Sequence, residues 1–400
     1  MGKLPTKVIG TAFCVLGFLT YGHCQGTWVS FDGKSLAGTP ATASVISSDQ
    51  SKTVIVFNIP GMWVNTKAVG TNTYHVLTIP GCEGSTIEIG KPQIPAFRKL
   101  IAIPPQANAT VAVTNLAEIS FSGYKVWPFQ TPETDSGPVP PFTINSAFYG
   151  TNVFYPEINA EISLPAIWRD MRVVNLGVYP CRFNPSTGVI KAYSQITVEI
   201  SYSGTSNINI LPGYPSAVSQ QYSRMYRSLI LNYKKIGIAI SMTYTMPKYL
   251  IIVADNYYTT IQDLLFWKKK KGIDISVVKQ SAIVGTYGSD DTVQIRDYIK
   301  NQYQTGGLDY VLLVGDAPDG NAQIGSTSRI PTFLFPPPTG YSGYSYGDHY
   351  YACVAGADDY PDIAIGRLSV ANIADVTNMI NKIFAYERIP ASDWQVTSGL

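Results

Sequence analysis

Residues Asp348 to Arg367 read DHYYACVAGADDYPDIAIGR, a run in which carboxylates and turn residues lie between apolar stretches. The spacing predicts a loop that ties two strands around a site. Upstream come YLIIVAD (249–255), a helix ending in FWKKKKG (266–272), IDISVV (273–278), a second helix and YVLLVGD (310–316). The strand cores IIVA, ISVV and VLLV are apolar throughout, as expected of strands buried on both faces of a parallel sheet. Between them the period becomes helical. Ile261, Leu264, Leu265 and Lys268 share one face of a helix over 258–271, whose four lysines before Gly272 suit its C-terminal dipole. Asp291 and Gln294 resemble a capping box opening a helix with Ile295, Tyr298 and Ile299 inward. A third helix, 371–387, sets Ile373, Val376, Ile380, Ile383 and Phe384 at core spacing. Residues 247–400 therefore form an α/β unit with a mainly parallel sheet.

Ligands of such sheets sit beyond the C-terminal strand ends, where Gly315 and Asp316 fall. A nucleotide site is not indicated, because neither GxGxxG nor GxxxxGK[ST] follows any strand. In an extended segment the Cα atoms of His349 and Cys353 are roughly 13 Å apart, too far for a catalytic dyad. Cys353 then reads as a buried apolar residue. The acidic loop has the texture of a calcium site, since a hard cation collects roughly six to eight carboxylate and carbonyl oxygens. The competing expectation is that these aspartates cap turns and pair with Arg367.

Residues 1–24 carry Lys3 and Lys7, an apolar run from Val8 to Leu19, and then Tyr21, Gly22, His23 and Cys24, the order of a secretory signal peptide. Acylation of Cys24 is an alternative, disfavoured by His23 before it. No segment reaches the roughly 20 apolar residues of a membrane span. Beyond the signal, Cys82, Cys181 and Cys353 are odd in number and far apart, so no disulfide framework is implied. Zinc is not indicated either, with only His75 and His349 remaining. From 25 to 204, short alternating runs such as KTVIVFNIP (52–60) and ITVEISYSG (196–204) are separated by turn residues, the pattern of a β-sandwich. Residues 205–246 read as a linker with a helical segment. Arg224, Arg227, Lys234 and Lys235 there are either processing sites or a solvated helix face. A formal charge of +2 gives no basic stripe for nucleic acid, and the lysine run has no basic or aromatic partner stripe.

The strand and helix order from 249 to 316, with YERIP (386–390), resembles the N-terminal half of the catalytic domain of the gingipain family of secreted cysteine peptidases. Two further blocks, IEIGKPQIPAFRKLIAIPPQANATVAV (87–113) and FYPEINAEISLPAIWRDMRVVNLGVYPCRFNPSTGVIKAYSQITVEISY (154–202), resemble that family's propeptide. The resemblance implies a β-sandwich propeptide followed by a caspase-like α/β half-domain. It implies protein or peptide substrates, the chain's own propeptide as intramolecular inhibitor, and a secreted, cell-surface or periplasmic location. It also implies a structural calcium ion held by the side chains of Asp316, Asp358 and Asp362 and the carbonyls of Ala355 and Tyr360. Asp362 is shorter than the Glu the family can carry there. The family's catalytic His and Cys would lie past Leu400, so no catalytic residue is expected in this chain. Trp394 to Leu400 begins like a strand and halts, which predicts a fragment of a longer protein, aggregation-prone when expressed alone. The alternative from another class is a non-catalytic secreted β-domain protein for binding or adhesion.

Overall fold

The computed structural model describes residues 26–133, 138–215, 217–235, 243–318, 323–335 and 345–388. The expected signal peptide and the Trp394–Leu400 strand lie outside the described residues. Two five-stranded antiparallel sheets face each other in the N-terminal part. The first is built on the long strand Val189–Ser203, which pairs with Lys52–Asn58 on one side and with Asn108–Phe121. The second centres on Met171–Val178, paired with Pro95–Ala102, Ala166–Trp168 and Ala160–Ile162. Alternation in sequence becomes alternation in burial: Ile196, Val198 and Ile200 point inward, where they meet Phe97, Ile101, Val174 and Leu176 from the opposite sheet in one core. The Phe57 and Phe97 rings meet across it at 4.9 Å. A three-stranded sheet of Thr27–Ser30, Gly61–Val69 and Asn72–Thr78 adjoins this sandwich.

The segment expected to be a linker is packed where it is described. Helix Gln220–Leu229 lays Tyr222 and Tyr226 on Ala166, Trp168, Met171 and Val173 of the second sheet. Just beyond it, the fully buried Asn232 binds both backbone groups of Ala102, its Oδ1 accepting from the N–H at 2.9 Å and its Nδ2 donating to the carbonyl at 2.8 Å. Residues up to 235 thus belong to the sandwich, with Arg224, Arg227, Lys234 and Lys235 exposed.

The C-terminal part holds a four-stranded parallel sheet in the order Asp274–Lys279, Lys248–Val253, Tyr310–Val314, Ala364–Leu368. The two central strands are buried as their apolar runs predict. ISVV departs from that expectation. It is an edge strand, and only Ile275 within Asp274–Lys279 is buried. The longer helices among the described residues of this part are Gln262–Lys270, Asp291–Gly306 and Ile373–Arg388. Ile295 and Ile299 are buried, as are Val376 and Ile380, whereas Ile373 starts its helix in solvent. Asp291 makes no capping box. It is fully buried and accepts from the N–H groups of Gly288 and Gly325, tying the helix start to a distant loop. The lysine run also has a local explanation: Glu387 accepts from Lys268, Lys271 and Trp267 Nε1, clamping one helix to another.

Candidate functional site

The acidic loop after helix His349–Ala352 is folded around its own carboxylates. Asp362 is fully buried, and its Oδ2 accepts from Val354 N at 2.8 Å and Ala355 N at 2.6 Å. Burial pushes its pKa up to about 6 even though backbone N–H donors pull it down. Asp358 accepts from Tyr360 N at 3.0 Å, closing a tight turn. Gly356 has φ of 72° here, and a Cβ on it would lie 2.6 Å from Asp358 Oδ2, so only glycine fits.

The remaining partners of these carboxylates come from the sandwich. The Ala166–Trp168/Met171–Val178 hairpin turns at Arg169 and Asp170 and inserts its tip beside the loop. Ile167 N donates to Asp358 Oδ2 at 2.8 Å, and Arg169 N donates to Asp362 Oδ1 at 2.7 Å. Arg169 has φ of 56°, a left-handed conformation that costs a non-glycine residue roughly 1–2 kcal/mol. Its contacts offset that cost. The guanidinium lies 3.1 Å from the buried Asp309 carboxylate and donates to the carbonyls of Leu308 at 2.7 Å, Gly307 at 3.3 Å and Asp362 at 3.3 Å. It also stacks over the Tyr222 ring at 4.3 Å, and the Arg169 carbonyl accepts from Tyr303 Oη at 3.0 Å. Burial alone would lower the Arg169 pKa, yet the Asp170 and Asp309 carboxylates hold it above its ordinary value.

The strand register separates the expected calcium ligands. Tyr310 pairs with Ala364 and Val314 with Leu368, so Asp362 lies just before the N-terminal edge of the sheet and Asp316 just past the C-terminal edge. The register sets Asp362 level with Leu308, eight residues before Asp316, and extended backbone of that length spans roughly 26 Å. Asp316 instead faces Arg329 at 3.4 Å. Ala355, Asp358, Tyr360 and Asp362 do share one loop, but the two carboxylates are taken up by N–H donors. Among the described residues no group of three His, Cys, Asp or Glu is arranged to hold a metal. The set expected for calcium therefore does not fit one ion. Nor does Arg367 pair with the loop: it grips Asp348 with two nitrogens at 2.7 and 2.8 Å and donates to the carbonyls of Gly315, Ile330 and Pro331.

His349 and Cys353 are closer than the extended geometry predicts. The segment is helical, which brings Cys353 Sγ within 3.4 Å of His349 Nε2. The pair still makes no nucleophile. His349 Nε2 is 2.7 Å from the Asp359 carbonyl, which can only accept, so that nitrogen carries a hydrogen and cannot take the thiol proton. Burial first, and then the Asp362 and Asp359 charges, push the Cys353 pKa up to about 12. Cys82 is pushed up to about 12 and Cys181 well above the ordinary thiol value, both by burial.

At the opposite edge Asp255, just past Lys248–Val253, accepts from Ser281 Oγ at 2.7 Å and Tyr287 Oη at 2.6 Å. Sequence reasoning missed this cluster and the Arg169 contact alike. A signal for the second existed in the RDMR tetrapeptide (169–172), where two arginines flank a turn whose residues would ordinarily be Gly or Asn.

Comparison with known proteins divides the chain where its two halves meet. Residues 33–240 match the family described as Propeptide_C25, and residues 243–399 match Peptidase family C25. Lys-gingipain of Porphyromonas gingivalis is 26% identical over 330 residues, covering 80% of this chain and 18% of that protein. Gingipain R2 of the same organism is 24% identical over 349 residues, covering 86% of this chain and 44% of that protein. The chain thus spans less than half the length of these relatives. A solved complex of Porphyromonas gingivalis RgpB pro- and mature domains aligns with 48% of this chain and 96% of that chain, at 20% identity and a TM-score of 0.44.

Proposed function

The chain belongs to the C25 peptidase family, and from that premise we propose that it is the latent precursor of a secreted cysteine endopeptidase. The observation that carries the proposal is the unbroken order of propeptide and peptidase matches, joined in space by the Arg169 hairpin. Cysteine peptidases cleave by thiolate attack on the peptide carbonyl, proton transfer through His, and stabilisation of the oxyanion by N–H donors. The described cysteines are unsuited to that attack, since each is held protonated by burial. The role of the described residues is to build the sheet and to keep the propeptide on it. The match to a propeptide family supports latency through the chain's own propeptide, and proteins or peptides are the substrate class. The charged, then apolar, then small and polar order of residues 1–24 supports export. The family match leaves the adhesion reading without support.

The test is casein hydrolysis by the natural protein before and after removal of its propeptide. Hydrolysis should appear only after removal and should stop with iodoacetamide. Activity indifferent to iodoacetamide, or none after removal, would overturn the proposal.

A further inference from the structure

We propose that the propeptide is anchored to the peptidase unit at the N-terminal edge of the parallel sheet, with the Arg169 side chain as the anchor. This grip lies at the edge opposite the C-terminal one, where ligands of parallel sheets bind. The inference rests on the precursor reading above and adds where the propeptide is gripped.

Several independent observations meet at this one residue. Arg169 is 6% exposed, and apart from Asp170 of its own hairpin at 3.2 Å, its carbonyl acceptors at Gly307, Leu308 and Asp362 and its ion-pair partner Asp309 belong to the peptidase unit. Helix Asp291–Gly306 ends on Gly307 in the left-handed conformation, so the carbonyls of Gly307 and Leu308 lie at its negative pole. The propeptide supplies the cation that this pole attracts. Asp309 is 1% exposed, and among the described residues its carboxylate meets the Arg169 guanidinium and the Lys248 N–H at 2.9 Å. Asp362 likewise takes one of its three N–H donors from the propeptide. Withdrawal of the hairpin would take the cation from Asp309 and the helix end and one N–H donor from Asp362, which favours rebinding of the hairpin even after the connection at 236–242 is cut. A planar guanidinium reaches carboxylate and carbonyls at once, and an ammonium cannot reproduce that fork.

The experiment uses the full chain with a single protease recognition sequence placed within 236–242 and cleaved after folding. Dissociation of the two pieces is measured by dilution and size-exclusion chromatography. The unsubstituted pieces should stay together, and Arg169→Ala should weaken their association by about 30-fold or more, as for a buried interface hot spot. Arg169→Lys should fall near the alanine variant, and it tests the same point if the alanine variant does not fold. From the other side, Asp309→Asn should weaken association by about 10-fold, and adding it to Arg169→Ala should bring little further loss. Association within threefold of the unsubstituted chain for either Arg169 variant, or effects of Arg169 and Asp309 that multiply in full, would refute the anchor. Only association is read, so a failure here is distinct from a failure of thiol-dependent proteolysis, which tests the precursor assignment.

Discussion

Asn232→Ala should loosen the last stretch of the propeptide and open the precursor to cleavage beside it. The Asn232 side chain satisfies the N–H and C=O of Ala102, which is itself fully buried, and donates to Ser48 Oγ at 3.1 Å. Alanine leaves both backbone groups unpaired. A buried polar group left without a partner costs about 1–3 kcal/mol, so two such groups cost about 3 kcal/mol after partial relaxation. If that cost falls on local opening of residues 231–235, the open population rises about 100-fold. Lys234 and Lys235 lie in this stretch, and trypsin should cut there faster by the same factor when reclosing outpaces cleavage. The assay is a trypsin time course followed by mass spectrometry, with a urea melt of the same variant. A cleavage rate within threefold of the unsubstituted chain would show that the amide does not hold this segment.

Alkylation gives a second test: with Cys82 and Cys353 pushed up to about 12, iodoacetamide at pH 8 should label the folded chain about a thousandfold more slowly than a free thiol. Rapid labelling at either residue would contradict its burial. Calcium and chelator should give the same thermal midpoint while the hairpin is docked, because N–H donors occupy Asp358 and Asp362. A calcium-dependent rise that vanishes in Asp358→Ala would restore the cation site. Glu387→Gln should cost about 1–3 kcal/mol in urea melts at pH 7, since charge-assisted bonds from Lys268 and Lys271 are lost. Burial works against the Glu387 charge, yet the bonds from Lys268, Trp267 and Lys271 hold its pKa below the ordinary value. Its contribution is therefore present above the ordinary carboxylate range and lost as pH falls below it, where wild-type and variant melts should converge.

The order of elements was legible because it is written in short-range pattern. Alternation across Val189–Ser203 and the unbroken apolar runs of Lys248–Val253 and Tyr310–Val314 each follow from which side chains must leave water. The same kind of evidence misled where a segment was short. HYYA (349–352) has too few residues to show a period, so helix and strand could not be told apart, and the Cα separation of His349 and Cys353 came out about twice the roughly 6 Å of one helical turn. ISVV looked central although it lies at an edge, since apolarity alone does not say how many neighbours a strand has.

Local pattern was enough for the two architectures, their order and the loop in which Ala355, Asp358, Tyr360 and Asp362 lie together, because neighbours within a few residues on a chain remain neighbours in space. It took the folded sheet to set Asp316 at the far end from Asp362, since parallel register, not residue type, governs which edge a residue occupies. The tertiary structure alone joined Arg169 to Asp309 and Asp362, partners more than 130 residues away in the chain. Those contacts depend on a turn held in a left-handed conformation by acceptors from the other half of the molecule, and no local propensity favours it until that half is in place.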